Sequence, residues 1–172
     1  MPKIIGISGY IGSGKTLLAD TLCSKYNFIR VKMAQPLKTM LESIGLTQDN
    51  IEGSTKQTPL PLLCNQTPRY AMQTLGTEWG RNLMGADLWV NLWAKKVNEL
   101  ISKDINIVCD DVRFINEVQK IKELGGKIFR LDRAAAKKQD HKTEQQDFKV
   151  DILLSNNGDI QDVVQRVMES YD

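Results

Sequence analysis

The stretch Gly9-Tyr10-Ile11-Gly12-Ser13-Gly14-Lys15-Thr16 decides how this chain is read. It satisfies Gly-x-x-x-x-Gly-Lys-Ser/Thr, in which glycines let the backbone curl until several N–H groups point inward at one anion. Before it, Lys3 to Ser8 is an apolar run that reads as a short buried strand. After it, Leu18, Leu22 and Tyr26 recur at helical spacing, so residues 15–26 read as a helix. Strand, glycine turn and helix N-terminus together make a phosphate cradle, because the positive end of the helix adds to the turn's N–H groups. The pattern arises by chance in roughly one chain in a few hundred, and its strand-turn-helix context thins that further. The expected nucleotide contacts are Gly9, Ile11, Gly12, Ser13, Gly14, Lys15, Thr16 and Leu17. Lys15 suits the β- and γ-phosphates of ATP, and the Thr16 hydroxyl suits Mg2+.

Outward from this loop, strands and helices alternate. Phe28 to Met33 alternates with period two and predicts a second strand, and Pro36 suits the first turn of a helix over Leu37 to Ile44. Residues 47–68 look irregular, with Gly53, Pro59, Pro61 and Pro68 among Thr, Gln and Asn. Thr67-Pro68 resembles an N-cap followed by an N1 proline. Asp87 can cap a helix whose apolar stripe is Trp89, Trp93, Val97, Leu100 and Ile101. Ile105 to Cys109 predicts a third strand, Phe114 to Leu124 a helix stopped by Gly125-Gly126, and Lys127 to Leu131 a fourth strand. Asp151 to Leu154 predicts a fifth, and Asp159 caps a last helix carrying Ile160, Val163, Val164, Val167 and Met168 on one face.

This alternation implies an α/β fold, a five-stranded parallel sheet flanked by helices. Two stretches do not fit it and read as insertions at the sheet edge. The expected division is one domain with a core of residues 1–35, 103–131 and 148–172, a helical insertion over 36–102 and a short lid over 132–147.

The length of 172 residues suits one domain with room for a small insertion, and is enough to bury a core without disulfides or metal. Three scattered cysteines, Cys23, Cys64 and Cys109, and a single histidine, His141, argue against a disulfide framework or a zinc site. A formal charge of +2 argues against a general nucleic-acid coat. No apolar stretch approaches the length of a membrane span, and the first apolar run is too short for a signal sequence. The expected location is the cytoplasm, or the host cytoplasm if the chain is viral, with no membrane or nucleic-acid partner.

A second chemical element is Cys109-Asp110-Asp111-Val112-Arg113. An apolar strand ending in Asp supplies a carboxylate beside the phosphate cradle, where it can hold the hydration shell of Mg2+. Asp110 directly follows the strand and Asp111 precedes Arg113; either can instead cap the next helix. The Asn-Lys-x-Asp base reader of GTPases and the Ser-Gly-Gly signature of transport ATPases are absent. A short chain with one helical insertion and one polar insertion suits a small-molecule kinase, in which a flap keeps water from the transferring phosphate.

Four further stretches carry a resemblance. They are Arg69-Tyr70-Ala71-Met72-Gln73-Thr74-Leu75-Gly76-Thr77-Glu78-Trp79-Gly80-Arg81; Asp111-Val112-Arg113-Phe114-Ile115-Asn116-Glu117; Gly125 to Arg133; and His141-Lys142-Thr143-Glu144 with Asn156-Asn157-Gly158. With the P-loop they make the chain resemble the bacteriophage-type deoxynucleoside monophosphate kinases, within the P-loop nucleoside monophosphate kinase group. The resemblance implies ATP- and Mg2+-dependent phosphorylation of a deoxynucleoside 5′-monophosphate, with an acceptor region between strands two and three and a lid between strands four and five. Dimers are common among such kinases. Dephospho-coenzyme A kinase is the same-class alternative, because Ala34-Gln35-Pro36-Leu37-Lys38 resembles a turn found there. A nucleotide-binding module without transfer activity is the alternative from another class.

On this reading Lys15, Asp111 and Arg133 are the expected catalytic residues, with Thr16 and Asp110 at the metal. Arg69, Gln73, Arg81 and Arg113 are the expected acceptor contacts, since guanidinium groups clamp a phosphate dianion bidentately. Arg69 and Arg81 suit surface salt bridges equally well. On one continuous α-helix they would stand about 18 Å apart, unless Gly76 and Gly80 break it. Gln73 shares a helical face with Arg69 and suits either a base edge or solvent. Arg113 follows strand three on the switch-point side of the sheet. Trp89 and Trp93 fall on the apolar stripe and read as core. Arg130 and Arg133 flank Leu131-Asp132; Arg133 lies beyond the strand and is preferred for the transferring phosphoryl group. Lys137, Lys138 and His141 read as lid surface. Asn157 is a candidate adenine contact, or part of a turn before Asp159.

Overall fold

The computed structural model describes residues 1–136 and 148–171. Lys137, Lys138 and His141 lie outside the described residues. The chain divides into two units, Met1–Met33 with Trp93–Asp172, and Ala34–Leu92. The second boundary falls inside a helix, α5 (Leu88–Ile101).

The larger unit is built on a five-stranded, wholly parallel sheet of order β2-β3-β1-β4-β5. Its strands are β1 (Ile4–Ser8), β2 (Phe28–Arg30), β3 (Asn106–Cys109), β4 (Lys127–Asp132) and β5 (Ile152–Ser155). β1 is buried along its whole length, which explains its uninterrupted apolar sequence. Helices α1 (Lys15–Tyr26) and α6 (Ile115–Glu123) lie in the β1–β2 and β3–β4 crossovers, and α7 (Ile160–Glu169) follows β5.

Two cores lie in this unit. One joins Ile5, Ile7, Phe129 and Leu154 to Leu18 and Leu22 of α1 and Val163, Val164 and Val167 of α7. The other joins Ile4, Ile107 and Ile128 to Val118 and Ile121 of α6 and to Trp93, Val97 and Leu100 of α5. The Trp93 indole N–H, inside this apolar setting, donates to the Val31 carbonyl at 2.9 Å.

The second strand is shorter than its alternation predicts. Val31 N–H still reaches the Val108 carbonyl at 2.9 Å, but Met33 N–H turns to Asp111 Oδ1 at 2.8 Å. A side chain thus replaces the ladder and ends the strand. At the far end of α6, Gly125 has φ +80° and Gly126 N–H closes on the Ile121 carbonyl, the stop that the paired glycines predict.

The smaller unit packs Leu37 and Leu41 of α2 (Gln35–Ser43) with Leu46, Ile51 and Trp89. The stretch read as irregular contains one four-residue helix, α3 (Gln48–Ile51), opened by a Thr47–Asn50 capping box, and two short 3₁₀ turns. Helix α4 (Pro68–Gln73) starts where Thr67-Pro68 predicts, with the Thr67 hydroxyl accepting from Tyr70 N–H. It runs directly into a π-helical segment, Thr74–Met84.

Gly76 and Gly80 therefore do not break the helix; they let it widen. Gly85 N–H closes on the Gly80 carbonyl, and the Trp89 indole N–H donates to the Gly76 carbonyl at 2.8 Å. A Cβ on Gly80 would meet the Trp89 ring at 2.5 to 2.6 Å, so only glycine admits the indole there. Trp89 is 2% exposed and Trp93 1%, as their places on the apolar stripe predict. Trp79 stays exposed, with its ring centroid 6.1 Å from that of Trp89.

Candidate active site

The phosphate cradle follows β1 and opens α1. Gly9, Gly12 and Gly14 all take positive φ, +142°, +83° and +100°, so the glycines of the motif are demanded by the backbone path. The start of α1 has no side-chain cap and no acidic residue in its first turn. By contrast α7 is capped by Asp159, which accepts from Gln161 N–H, and carries Asp162 in its first turn. An uncapped helix start behind a glycine nest leaves N–H groups for an anion. Lys15 Nζ folds back onto the cradle, donating to the carbonyls of Gly9 at 2.6 Å and Tyr10 at 2.9 Å. Ile11, Thr16 and Leu17 are exposed, whereas Ser13 is buried and its hydroxyl has no partner among the described residues.

Strand register brings the other elements of the larger unit to this loop. Gly6 pairs with Cys109, so Asp110 lies beside the last residues of β1. Asp110 is 5% exposed, and its Oδ1 has no hydrogen-bond partner among the described residues. Burial lifts its carboxyl above the usual carboxylate range, against the pull of Arg30 and Lys32. Asp111 is used differently. Its Oδ1 accepts from Met33 N–H at 2.8 Å and from the Cys109 thiol at 3.2 Å. The chemistry of the pair thus divides: Asp111 ties down the chain after β2, and Asp110 keeps a bare oxygen.

Arg30 was not singled out by sequence reasoning, yet it joins three elements here. Its Nη2 donates to Asp20 at 2.6 Å and to the Thr16 carbonyl at 3.0 Å, and its Nε lies 3.6 Å from Asp110 Oδ2. The usable signal is alternation, since Phe28 and Arg30 share the inward face of β2.

Arg113 is exposed just beyond β3. The backbone around it is pinned by Glu117, 2% exposed, whose Oε2 accepts from the N–H groups of Arg113 at 2.7 Å and Phe114 at 3.1 Å. The same Asp-Val-Arg-Phe block therefore contains its own turn lock.

On the other side of β1, Ser8 pairs with Arg130. Three residues further on, Arg133 is level with the cradle, and its Nη1 lies 3.5 Å from the Gly12 carbonyl. Arg130 is engaged elsewhere, donating to the Phe148 carbonyl at 3.1 Å with its guanidinium over the Phe148 ring. Asn157 has both ends of its amide occupied, Oδ1 accepting from Ala134 N–H at 2.9 Å and Nδ2 donating to Ser155 Oγ at 3.0 Å. Its neighbour Asn156 is buried, with its amide nitrogen donating to the Ser13 carbonyl.

The larger unit thus gathers Lys15, Thr16, Asp110, Asp111, Arg113 and Arg133 at the carboxyl edge of its sheet, around the strand order's reversal point. The smaller unit carries Arg69, Gln73 and Arg81. Arg69 and Gln73 are exposed on α4, and Arg81 is half-buried in the π-helical segment. Among the described residues no group of three or more His, Cys, Asp or Glu side chains could hold a metal by itself. No described helix is long and apolar enough to cross a membrane.

Comparison with known proteins agrees with this geometry. Residues 63–167 match the deoxynucleotide monophosphate kinase family. A protein of Acanthamoeba polyphaga mimivirus, described as a deoxynucleotide monophosphate kinase, is 31% identical over 98% of this chain and 96% of its own. The fold is shared with shikimate kinase from Aquifex aeolicus, at a TM-score of 0.52, 13% identity and coverage of 98% and 95%. It is shared as well with shikimate kinase from Bacteroides thetaiotaomicron, at 0.51, 16% identity and coverage of 98% and 98%. A phosphate cradle on a parallel kinase sheet, a matched family segment and a full-length viral relative establish that the chain belongs to the deoxynucleotide monophosphate kinase family, a family of nucleotide-using transferases.

Proposed function

We propose that this chain transfers the γ-phosphoryl group of ATP to a deoxynucleoside 5′-monophosphate, giving the diphosphate and ADP. The observation that carries the reading is the uncapped, acid-free start of α1 behind three positive-φ glycines, in a chain of this family.

In this reaction Lys15 leaves the Gly9 and Tyr10 carbonyls and binds the β- and γ-phosphates. The cradle N–H groups hold the same anion in place before transfer begins, so little reorganisation remains for the chemical step. Arg133, level with Gly12, meets charge that develops on the transferring group. Arg113 clamps the acceptor phosphate from the end of β3, and Arg69, Gln73 and Arg81 are the acceptor contacts of the smaller unit. An acceptor phosphate oxygen is already ionised near neutral pH, so no general base is required.

The residues present fit Mg2+. Asp110 offers a buried carboxylate oxygen with no hydrogen-bond partner among the described residues, and the Thr16 side chain is exposed at the start of α1. These two would hold the ion, which when bound supplies positive charge to the phosphate oxygens. Asp111 keeps the end of β3 and the chain at Met33 in register, and so acts on this site through its neighbours.

The decisive experiment is an ADP-release assay with Mg2+ across a panel of deoxynucleoside monophosphates and dephospho-coenzyme A. ADP release that depends on a deoxynucleoside monophosphate is the expected result. Activity only with dephospho-coenzyme A would move the chain to that kinase reaction, and slow hydrolysis indifferent to every acceptor would make it a nucleotide switch.

A further inference from the structure

The turn after β5 grips the cradle through Asn156. Asp132 pairs with Ser155, so the residue after Ser155 emerges beside the loop that β1 feeds, across β4. That residue, Asn156, is 7% exposed. Its Nδ2 donates to the Ser13 carbonyl at 2.8 Å, and its own backbone N–H donates to the Asp132 carbonyl at 2.7 Å. A Cβ on Gly14 would collide with the same Nδ2, so the amide occupies space that only a glycine at position 14 leaves open.

We infer that Asn156 is a positioning residue for the nucleotide cradle, setting the orientation of the Ser13–Gly14 peptide without touching the nucleotide. The argument is stereochemical. In a planar trans peptide the carbonyl and the N–H point in opposite directions. Holding the Ser13 carbonyl from the β5 side therefore aims the Gly14 N–H away from Asn156, toward the inside of the loop. Gly14 sits at φ +100°, ψ 13°, a conformation in which glycine has wide freedom, so a side-chain tether is what keeps this peptide in one orientation. Asn157 extends the tie, because its Oδ1 accepts from Ala134 N–H one residue after Arg133. The turn after β5 thus fixes two neighbours of the phosphate, the Gly14 peptide through Asn156 and the chain beside Arg133 through Asn157.

This inference rests on the cradle binding a nucleoside triphosphate, so ATP binding to the unaltered protein is the control for that reading. The test measures the ATP dissociation constant by calorimetry, the KM for the acceptor and the thermal midpoint, for Asn156→Ala and Asn156→Asp. Asn156→Ala removes the tether, and a net hydrogen-bond contribution of this kind corresponds to a loss of up to about tenfold in ATP affinity. Asn156→Asp keeps the shape but sets an acceptor against the Ser13 carbonyl and a negative charge behind the phosphates. The loss there exceeds that of the alanine variant. The acceptor KM stays within about twofold in both, since one hydrogen bond in the cradle does not reach the acceptor. ATP affinity unchanged in the variants overturns the inference. So does a parallel fall in ATP and acceptor affinity that tracks the thermal midpoint, or loss of cooperative unfolding in both variants, since each assigns Asn156 to folding alone. Failure of the unaltered protein to bind ATP would strike the proposed reaction itself.

Discussion

Replacing Gly80 by alanine tests the packing of the π-helical segment, because two opposed effects can be weighed. Alanine in a helix is ordinarily better than glycine by roughly 0.5–1 kcal/mol, through the entropy of the unfolded chain. At Gly80 the added Cβ falls 2.5 Å from Trp89 Nε1 and 2.6 Å from Cε2 and Cζ2, well inside contact distance. The indole cannot retreat freely, since Trp89 is buried among Leu37, Leu41, Leu46 and Ile51 and bonded to the Gly76 carbonyl. Overpacking of this sort costs about 1–3 kcal/mol, and displacing the indole forfeits a further 0.5–1.5 kcal/mol or so of hydrogen bonding. The net expectation is about 1–3 kcal/mol of destabilisation, a fall of several degrees in thermal midpoint for a chain this size. Gly76→Ala is the matched control. Its Cβ meets only Leu37 Cδ2 at 3.4 Å, so the entropic gain prevails and stability holds or rises. Urea unfolding followed by tryptophan fluorescence reads both. A Gly80→Ala protein as stable as its parent would refute the claim that Trp89 dictates glycine at this position.

Three other outcomes are expected. Lys15→Ala lowers phosphoryl transfer by orders of magnitude while leaving far-UV circular dichroism unchanged, because the amine belongs to the cradle, where it donates to the Gly9 and Tyr10 carbonyls, and not to the core. Arg113→Ala raises the acceptor KM with little change in ATP affinity or thermal midpoint, because its exposed side chain is separate from the Glu117 lock on its backbone; an unchanged KM would remove it from the acceptor site. For Asp151, burial works to raise the carboxyl, but Ile128 N–H at 2.8 Å and Lys122 at 3.0 Å outweigh it and hold it below its usual value. A lowered folded pKa contributes stability above the unfolded value near 3.9 that is lost as pH falls through the folded one. The stability gap between wild type and Asp151→Asn should therefore be full at pH 7 and narrow below about pH 4, as acid titrations of urea midpoints would show.

The sequence by itself determined the parallel α/β class, most element positions and the phosphate cradle, because these are written in local terms. Apolar runs, helical spacing, Thr67-Pro68, Asp159 and Gly125-Gly126 act over a few residues, and so do the glycines whose positive φ the loop requires. Only the tertiary structure decided which partners Asp110 and Asp111 take, since that depends on Met33 arriving beside Asp111 from a neighbouring strand. It likewise decided that Arg30 reaches Thr16 and Asp20 across 14 and 10 residues of sequence, and that Asn156 reaches Ser13 across 143. The widening of the helix after Gln73 belongs there too, because the indole that holds it comes from α5. The physical reason is strand order: β4 lies between β1 and β5, and β1 between β3 and β4, so which side chains share the cradle is set by sheet register, to which periodicity along the chain is blind.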